Sequence, residues 1–339
     1  MVVIDTNLKV EEQSILYHIN SSDVYNLLQD ISGSKLIVDL RSKEKYDVSH
    51  IRTAISLPPP PSPDSNTNST IKSFNINKYI GSNATAKHWN LIFNRVVVYS
   101  DKPFLYSIDE LEHLDEFNYT GIVDLKREDW DHVLLKYFLS KRKKTKIMVF
   151  QDGFNTFHSN YPFMCNSSTI KVTGSLYPSE IIINFLYLGG TENAATKEQL
   201  QNLKITHIVN MASELDDVYP HTYKYYRADL DDRPKANIYR HFQPVIDFIN
   251  AAKREGGRVL VHCAMGISRS TTVVLAYLMK EDHLSFNDAY KFVKSKRTFV
   301  NPNHGFITQL KEYDAFLIKE REREHEQQND EMKRLKLNS

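Results

Sequence analysis

The chain has 339 residues, 41% of them hydrophobic and 25% charged, with a formal net charge of +1. That length allows two cores, and a charge so near zero provides no global field to draw the protein to nucleic acid or an anionic membrane. No run approaches the ~20 apolar residues of a membrane span, and Met1-Val2-Val3-Ile4-Asp5 lacks the basic start and long apolar core of a signal peptide, so cytoplasm or nucleus is expected.

Ser22 ahead of Val24, Leu27 and Leu28 reads as a short capped helix, and Leu36-Ile37-Val38-Asp39-Leu40 as a buried strand. The run Pro58-Pro59-Pro60-Pro61-Ser62-Pro63 and the Ser/Asn-rich stretch to about Asn77 lack donors and apolar content, which predicts an exposed loop. Arg95 to Tyr99 is a second strand, Ser107 with Glu110 has the form of a capping box, and a helix is expected from Glu128 to Lys141. Ile147 to Phe150 is a third strand. Strands alternating with helices imply an α/β unit with a mainly parallel sheet over residues 14–165.

Residues 166–174 are polar and aperiodic, which suits a linker. A second α/β unit is expected over 175–320. Its strands fall at Phe185 to Leu188, Ile205 to Asn210 and Arg258 to His262, and its helices at Ile238 to Ala252 and Ser270 to Lys280. Residues 321–339 form a charged tail, expected to be a solvated helix extension or to fray.

Two cysteines, Cys165 and Cys263, are too few for a disulfide framework. Cys263 opens the run Cys263-Ala264-Met265-Gly266-Ile267-Ser268-Arg269-Ser270, directly after an apolar strand and directly before a helical stretch. A strand-end cysteine alone is more often structural. Gly266, Arg269 and Ser270 reverse that reading, because a loop of this length can turn the backbone N–H groups of Ala264 to Arg269 around a tetrahedral anion at a helix N-terminus. The same field favours thiolate, the nucleophilic form. Arg269 supplies a planar fork for two phosphoryl oxygens, and the Ser270 hydroxyl is placed to hydrogen-bond the sulfur when a phosphocysteine breaks down.

In-line transfer to sulfur leaves an alkoxide or phenoxide that needs a proton from a separate loop. Asp229-Leu230-Asp231-Asp232 is the candidate segment, and composition does not choose between Asp231 and Asp232. No His/Asp cluster has metal-ligand spacing, and the loop with Arg269 supplies the positive field such chemistry needs, so no metal or cofactor is expected.

His262 through Ser270 meets the signature H-C-x-x-G-x-x-R-S and resembles the dual-specificity phosphatases. Asn184 to Gly189 is similar to that family's opening strand, and Asn301-Pro302-Asn303 with Phe306, Gln309 and Leu310 to its closing helix. The family's general acid lies five residues before an Asn/Asp-Ile helix start, which implies Asp232, with Asp231 as the second choice. The first unit resembles a rhodanese-like module through Val38-Asp39-Leu40-Arg41, His50-Ile51, Ala54, Asp152-Gly153-Phe154 and Tyr161-Pro162. Ser100 or Asp101 stands where sulfurtransferases carry their cysteine, so no sulfurtransferase activity is expected.

A rhodanese-like domain without that cysteine, followed by a dual-specificity domain, is similar to the MAP kinase phosphatases. The resemblance implies a phosphoprotein substrate, with a MAP kinase as the partner. The family's arginine cluster after His50-Ile51 is reduced to Arg52. A substitute dock is Lys141-Arg142-Lys143-Lys144, ahead of Ile147 and Val149, although those cations also suit a helix C-terminus and could serve nuclear import. Rival readings are an interaction-only pseudophosphatase, opposed by Cys263 and Arg269, and a phosphoinositide or RNA 5′-end phosphatase. The loop interior has no lysine or histidine to meet a second phosphate, which favours phosphoprotein.

Overall fold

Leu36, Ile37 and Val38 are buried in succession, as are Val96, Val97 and Val98, so these strands have no solvent face, as befits central positions in a parallel sheet. The structure is a computed structural model describing residues 16–60, 70–102, 122–126, 130–142, 144–167, 171 and 174–337. Two compact units divide between Ser175 and Leu176.

The first unit contains β1 (Leu16–Ile19), β2 (Lys35–Asp39), β3 (His50–Ile51), β4 (Ile55–Ser56), β5 (Thr70–Asn75), β6 (Arg95–Tyr99), β7 (Ile122–Lys126), β8 (Lys146–Phe150) and β9 (Cys165–Asn166). Five of them form one all-parallel sheet in the order β1-β8-β6-β2-β4. Helix α1 (Ser21–Gln29) starts from Asn20, whose side chain accepts from the Asp23 N–H in a reciprocal capping box. Helix α2 (Trp130–Lys141) turns Trp130, Leu134 and Phe138 into the core. Helix α3 is Gly153–Asn160.

One expectation is corrected here. The Ser/Asn-rich stretch contains a strand, because β5 pairs antiparallel with β7, and Ile71 and Phe74 pack on the core. Phe74 meets the Trp130 ring edge-on at 5.9 Å. The strand's partner lies some fifty residues away, so no local signal announces it. The capping box at Ser107 and Glu110 lies outside the described residues.

The second unit contains β10 (Ser179–Ile182), β11 (Leu186–Gly189), β12 (His207–Asn210), β13 (Lys224–Arg227) and β14 (Val259–His262). Their order is β10-β11-β14-β12-β13, parallel except for β10. Its helices include α4 (Phe242–Arg254), α5 (Arg269–Glu281), α6 (Phe286–Lys296) and α7 (His304–Leu337). A 3₁₀ turn, Tyr239–His241, precedes α4 where the sequence suggests helix from Ile238.

Helix α5 is buried from Arg269 to Met279. Each of Val273, Val274, Leu275 and Leu278, fully buried, contributes about 1.5–3 kcal/mol, which fixes the helix firmly against the sheet. Strand β14 is central, flanked by β11 and β12, and it delivers the chain to the carboxyl end of the sheet, where open α/β folds bind ligands. In α7, Leu310, Tyr313 and Leu317 are buried, and the helical backbone continues to Leu337.

Candidate active site

The connection between β14 and α5 places Cys263 at the strand end and Arg269 and Ser270 in the first helical turn. Gly266 adopts φ +69°, and a Cβ there would lie 2.4 Å from the Gly189 carbonyl oxygen, so both the conformation and the space demand glycine. The loop is thereby folded tightly against β11. Ser268, at the helix N-cap, makes no side-chain cap hydrogen bond, and the Ser270 N–H is left to face the sulfur.

Cys263 is 2% exposed, and its Sγ is 3.2 Å from Ser270 Oγ. Burial pushes the thiol up. The Ser270 hydroxyl and the N–H groups of Ser270, Gly266 and Ile267 outweigh it and bring the thiol below its ordinary value. Burial also lowers His262 to about 4, so its imidazole is neutral at physiological pH and adds no cation beside the thiolate.

Arg269 is 3% exposed and is held from outside the pocket. Its Nη1 and Nη2 donate to Glu214 Oε2 and Oε1 at 2.6 and 2.5 Å, and Nη1 also donates to the Leu230 carbonyl at 3.0 Å. Its Nε is buried without a hydrogen-bond partner among the described residues. An orphaned buried donor is costly unless a ligand completes it, and an anion above Cys263 would do so. The guanidinium holds the Glu214 carboxyl at about 2, well below the usual range. Sequence reading missed Glu214 because it lies far from the loop in the chain and belongs to no local pattern.

The acidic loop separates its two candidates. Asp232 Oδ1 accepts from Ser268 Oγ and from Asn303 Nδ2, each at 2.8 Å, and Asp232 Oδ2 faces Arg269 Nε at 3.8 Å. Asp231 instead accepts from Ser213 Oγ at 2.9 Å and pairs with Arg233 at 3.5 Å. Asp232 is therefore the carboxylate brought to the loop. Ser268 serves both sides, since its Oγ accepts from the Asn303 N–H at 3.1 Å while donating to Asp232. Met265 is 67% exposed and forms part of the rim.

The first unit presents a different picture at the end of β6. Ser100 is buried there, and Asp101 pairs with Lys45. Cys165 is buried in β9, its thiol pushed up to about 12 by burial, a state in which it is unreactive. Of the basic run, Lys141 and Lys144 are exposed, Arg142 is half-buried and Lys143 lies outside the described residues.

Comparison with known proteins agrees with this division. The model of the family described as dual specificity phosphatase, catalytic domain, matches residues 186–316, and that of the rhodanese-like domain matches residues 21–103. A probable rhodanese domain-containing dual specificity protein phosphatase of Dictyostelium discoideum is 58% identical, over 96% of this chain and 75% of that one. The chain belongs to the rhodanese domain-containing dual specificity protein phosphatases.

More distant protein phosphatases match as well. The dual specificity protein phosphatase 1-B of Xenopus laevis is 32% identical over 59% of this chain and 61% of its own length. The human protein phosphatase Slingshot homolog 3 is 43% identical, but over 42% of this chain and 21% of that protein. The two-domain α/β architecture and the protein phosphatase activity thus rest on sequence kinship and on the fold together.

Proposed function

We propose that Cys263 is the nucleophile of this dual specificity phosphatase, and that the chain hydrolyses phosphotyrosine and phosphoserine or phosphothreonine in a phosphoprotein through a phosphocysteine intermediate. The observation that carries the assignment is the set of donors converging on Cys263 Sγ: the Ser270 hydroxyl at 3.2 Å and three backbone N–H groups. The loop from Ala264 to Arg269 holds the phosphoryl oxygens, with Arg269 Nε as the donor still free for them.

In the first step the thiolate attacks phosphorus, the bond to the leaving oxygen breaks, and Asp232 gives that oxygen its proton. In the second, water attacks the phosphocysteine while the Asp232 carboxylate takes the water's proton. The S–P bond breaks, the Ser270 hydroxyl donates a hydrogen bond to the departing thiolate while keeping its proton, and inorganic phosphate leaves. Cys263 and Arg269, both in place, oppose the pseudophosphatase reading.

A MAP kinase is the proposed substrate, supported by the domain pairing and by the basic run. Ile147 and Val149 are fully buried in β8, so they are unavailable as the apolar half of a dock. Leu91 and Ile92, 68% and 56% exposed, are the proposed replacement, supported by their neighbour Asn90, whose Nδ2 donates to the Lys141 carbonyl at 2.9 Å. Such a surface complements an acidic, partly apolar groove. Cytoplasm or nucleus is the proposed location.

The test follows release of each phosphate from an activation-loop peptide bearing phosphothreonine and phosphotyrosine, comparing wild type with Cys263→Ser. Loss of both phosphates with wild type only is the expected result. Turnover of an aryl phosphate without release from the peptide would keep the catalyst and reject the kinase.

A further inference from the structure

Arg297, in the turn after α6, is 8% exposed and spends its guanidinium on the outside of the phosphate loop. Its Nε donates to the Gly266 carbonyl at 2.8 Å, Nη2 to the Met265 carbonyl at 3.1 Å and Nη1 to Ser179 Oγ at 3.3 Å. The Phe299 ring lies 4.2 Å from the guanidinium carbon and closes the remaining face.

A trans peptide is planar, with its carbonyl and the following N–H pointing in opposite directions. Whatever fixes the Met265 carbonyl outward therefore fixes the Gly266 N–H inward, and the Gly266 carbonyl governs the Ile267 N–H in the same way. These two N–H groups are among the donors to Cys263 Sγ. Arg297 thus grips two peptide planes whose opposite edges hold the sulfur.

We propose that Arg297 is a positioning residue for phosphate transfer: by capturing the Met265 and Gly266 carbonyls, it aims the Gly266 and Ile267 N–H groups at Cys263 Sγ and at the phosphoryl oxygens that follow. It touches neither substrate nor sulfur. Its charge adds to the effect, because a cation on the carbonyl side polarises both amides toward the anion. Burial draws the guanidinium down to about 10, which leaves it protonated at neutral pH. Lysine cannot copy the arrangement, since a single ammonium does not present a planar fork to two carbonyls.

The inference rests on Cys263 as the nucleophile, and its test is chosen to be read without turnover. The full-length chain is alkylated with iodoacetamide across a pH series, with modification of Cys263 followed by peptide mass mapping and separated from the buried Cys165. In Arg297→Ala the midpoint of the profile moves up by about one unit, an approximately tenfold loss of alkylation rate on the acid side. Arg297→Lys falls between wild type and Arg297→Ala, and kcat/KM for an aryl phosphate falls in the same order.

An unshifted midpoint in folded Arg297→Ala or Arg297→Lys overturns the proposal, even with a lower Tm, because a purely structural arginine would change stability and leave the thiol alone. If Arg297→Ala does not fold, Arg297→Lys carries the same decision. Full turnover by Cys263→Ser would instead remove the nucleophile assignment, and the alkylation series would still decide what Arg297 does to the thiol.

Discussion

Glu214 holds both terminal nitrogens of Arg269, at 2.5 and 2.6 Å, and leaves Nε buried without a hydrogen-bond partner among the described residues, 3.8 Å from Asp232 Oδ2. A fork clamped this way meets phosphate with its orientation already fixed. Glu214→Ala is expected to lower kcat/KM by about 10–100-fold through misplacement of Arg269, with steady-state kinetics on an aryl phosphate as the measurement. The depressed Glu214 carboxyl also has a stability signature. Its folded value lies below its unfolded one, so the contribution is complete above about 4.5 and is lost as pH falls toward about 2. Glu214→Gln should flatten that part of a stability-against-pH curve.

Asp232 and Asp231 should separate cleanly in kinetics. Asp232→Asn is expected to lower kcat by about 10²–10⁴-fold on substrates with poor leaving groups, less on activated aryl phosphates, and to remove the alkaline limb of the pH profile. Asp231→Asn, with its own partners in Ser213 and Arg233, should stay near wild type. Equal losses in both variants would refute the assignment.

Ser270→Ala removes the hydroxyl 3.2 Å from the sulfur. Two effects are expected: the Cys263 thiol rises toward its ordinary value, shifting the acid limb of kcat/KM to higher pH, and the phosphocysteine builds up. Rapid-quench kinetics should then show a burst of released alcohol followed by slow turnover.

Gly266→Ala combines a left-handed backbone with a methyl group 2.4 Å from the Gly189 carbonyl oxygen. Backbone strain alone costs about 1–3 kcal/mol, so the loop should open to relieve it and activity should collapse with little loss of helix. Circular dichroism beside an activity assay would separate the two.

Charge reversal at Lys141, Arg142, Lys143 and Lys144 tests the dock. Dephosphorylation of a whole phosphorylated MAP kinase should fall while turnover of a small phosphoester is unchanged, and equal rates on both substrates would end the docking idea.

What could be read from the sequence followed the locality of the information. Cys263 to Ser270 is one uninterrupted segment, so strand, loop and helix start announce the anion cradle together. Asp232 needed the resemblance, because nothing local distinguishes it from Asp231, and its contacts in space with Ser268, Asn303 and Arg269 do so. Glu214 and Arg297 were missed for a related reason. Each reaches the loop across a long stretch of chain, and each looks like an ordinary surface charge in its own neighbourhood. The short strands β10 and β13 also went unread, β13 because Lys224-Tyr225-Tyr226-Arg227 is an edge with exposed, charged ends.

Ser268 links the acid loop to the phosphate loop before any substrate arrives, giving to Asp232 and receiving from Asn303. With Asp232 as the proposed acid, the expected consequence of this link is that no closing motion precedes the enzyme's chemistry. The ordering of its catalytic groups belongs to the folding of the domain and is not charged to each binding event. On warming, turnover should therefore rise smoothly and then vanish together with the fold, with no lower-temperature break where a lid comes loose.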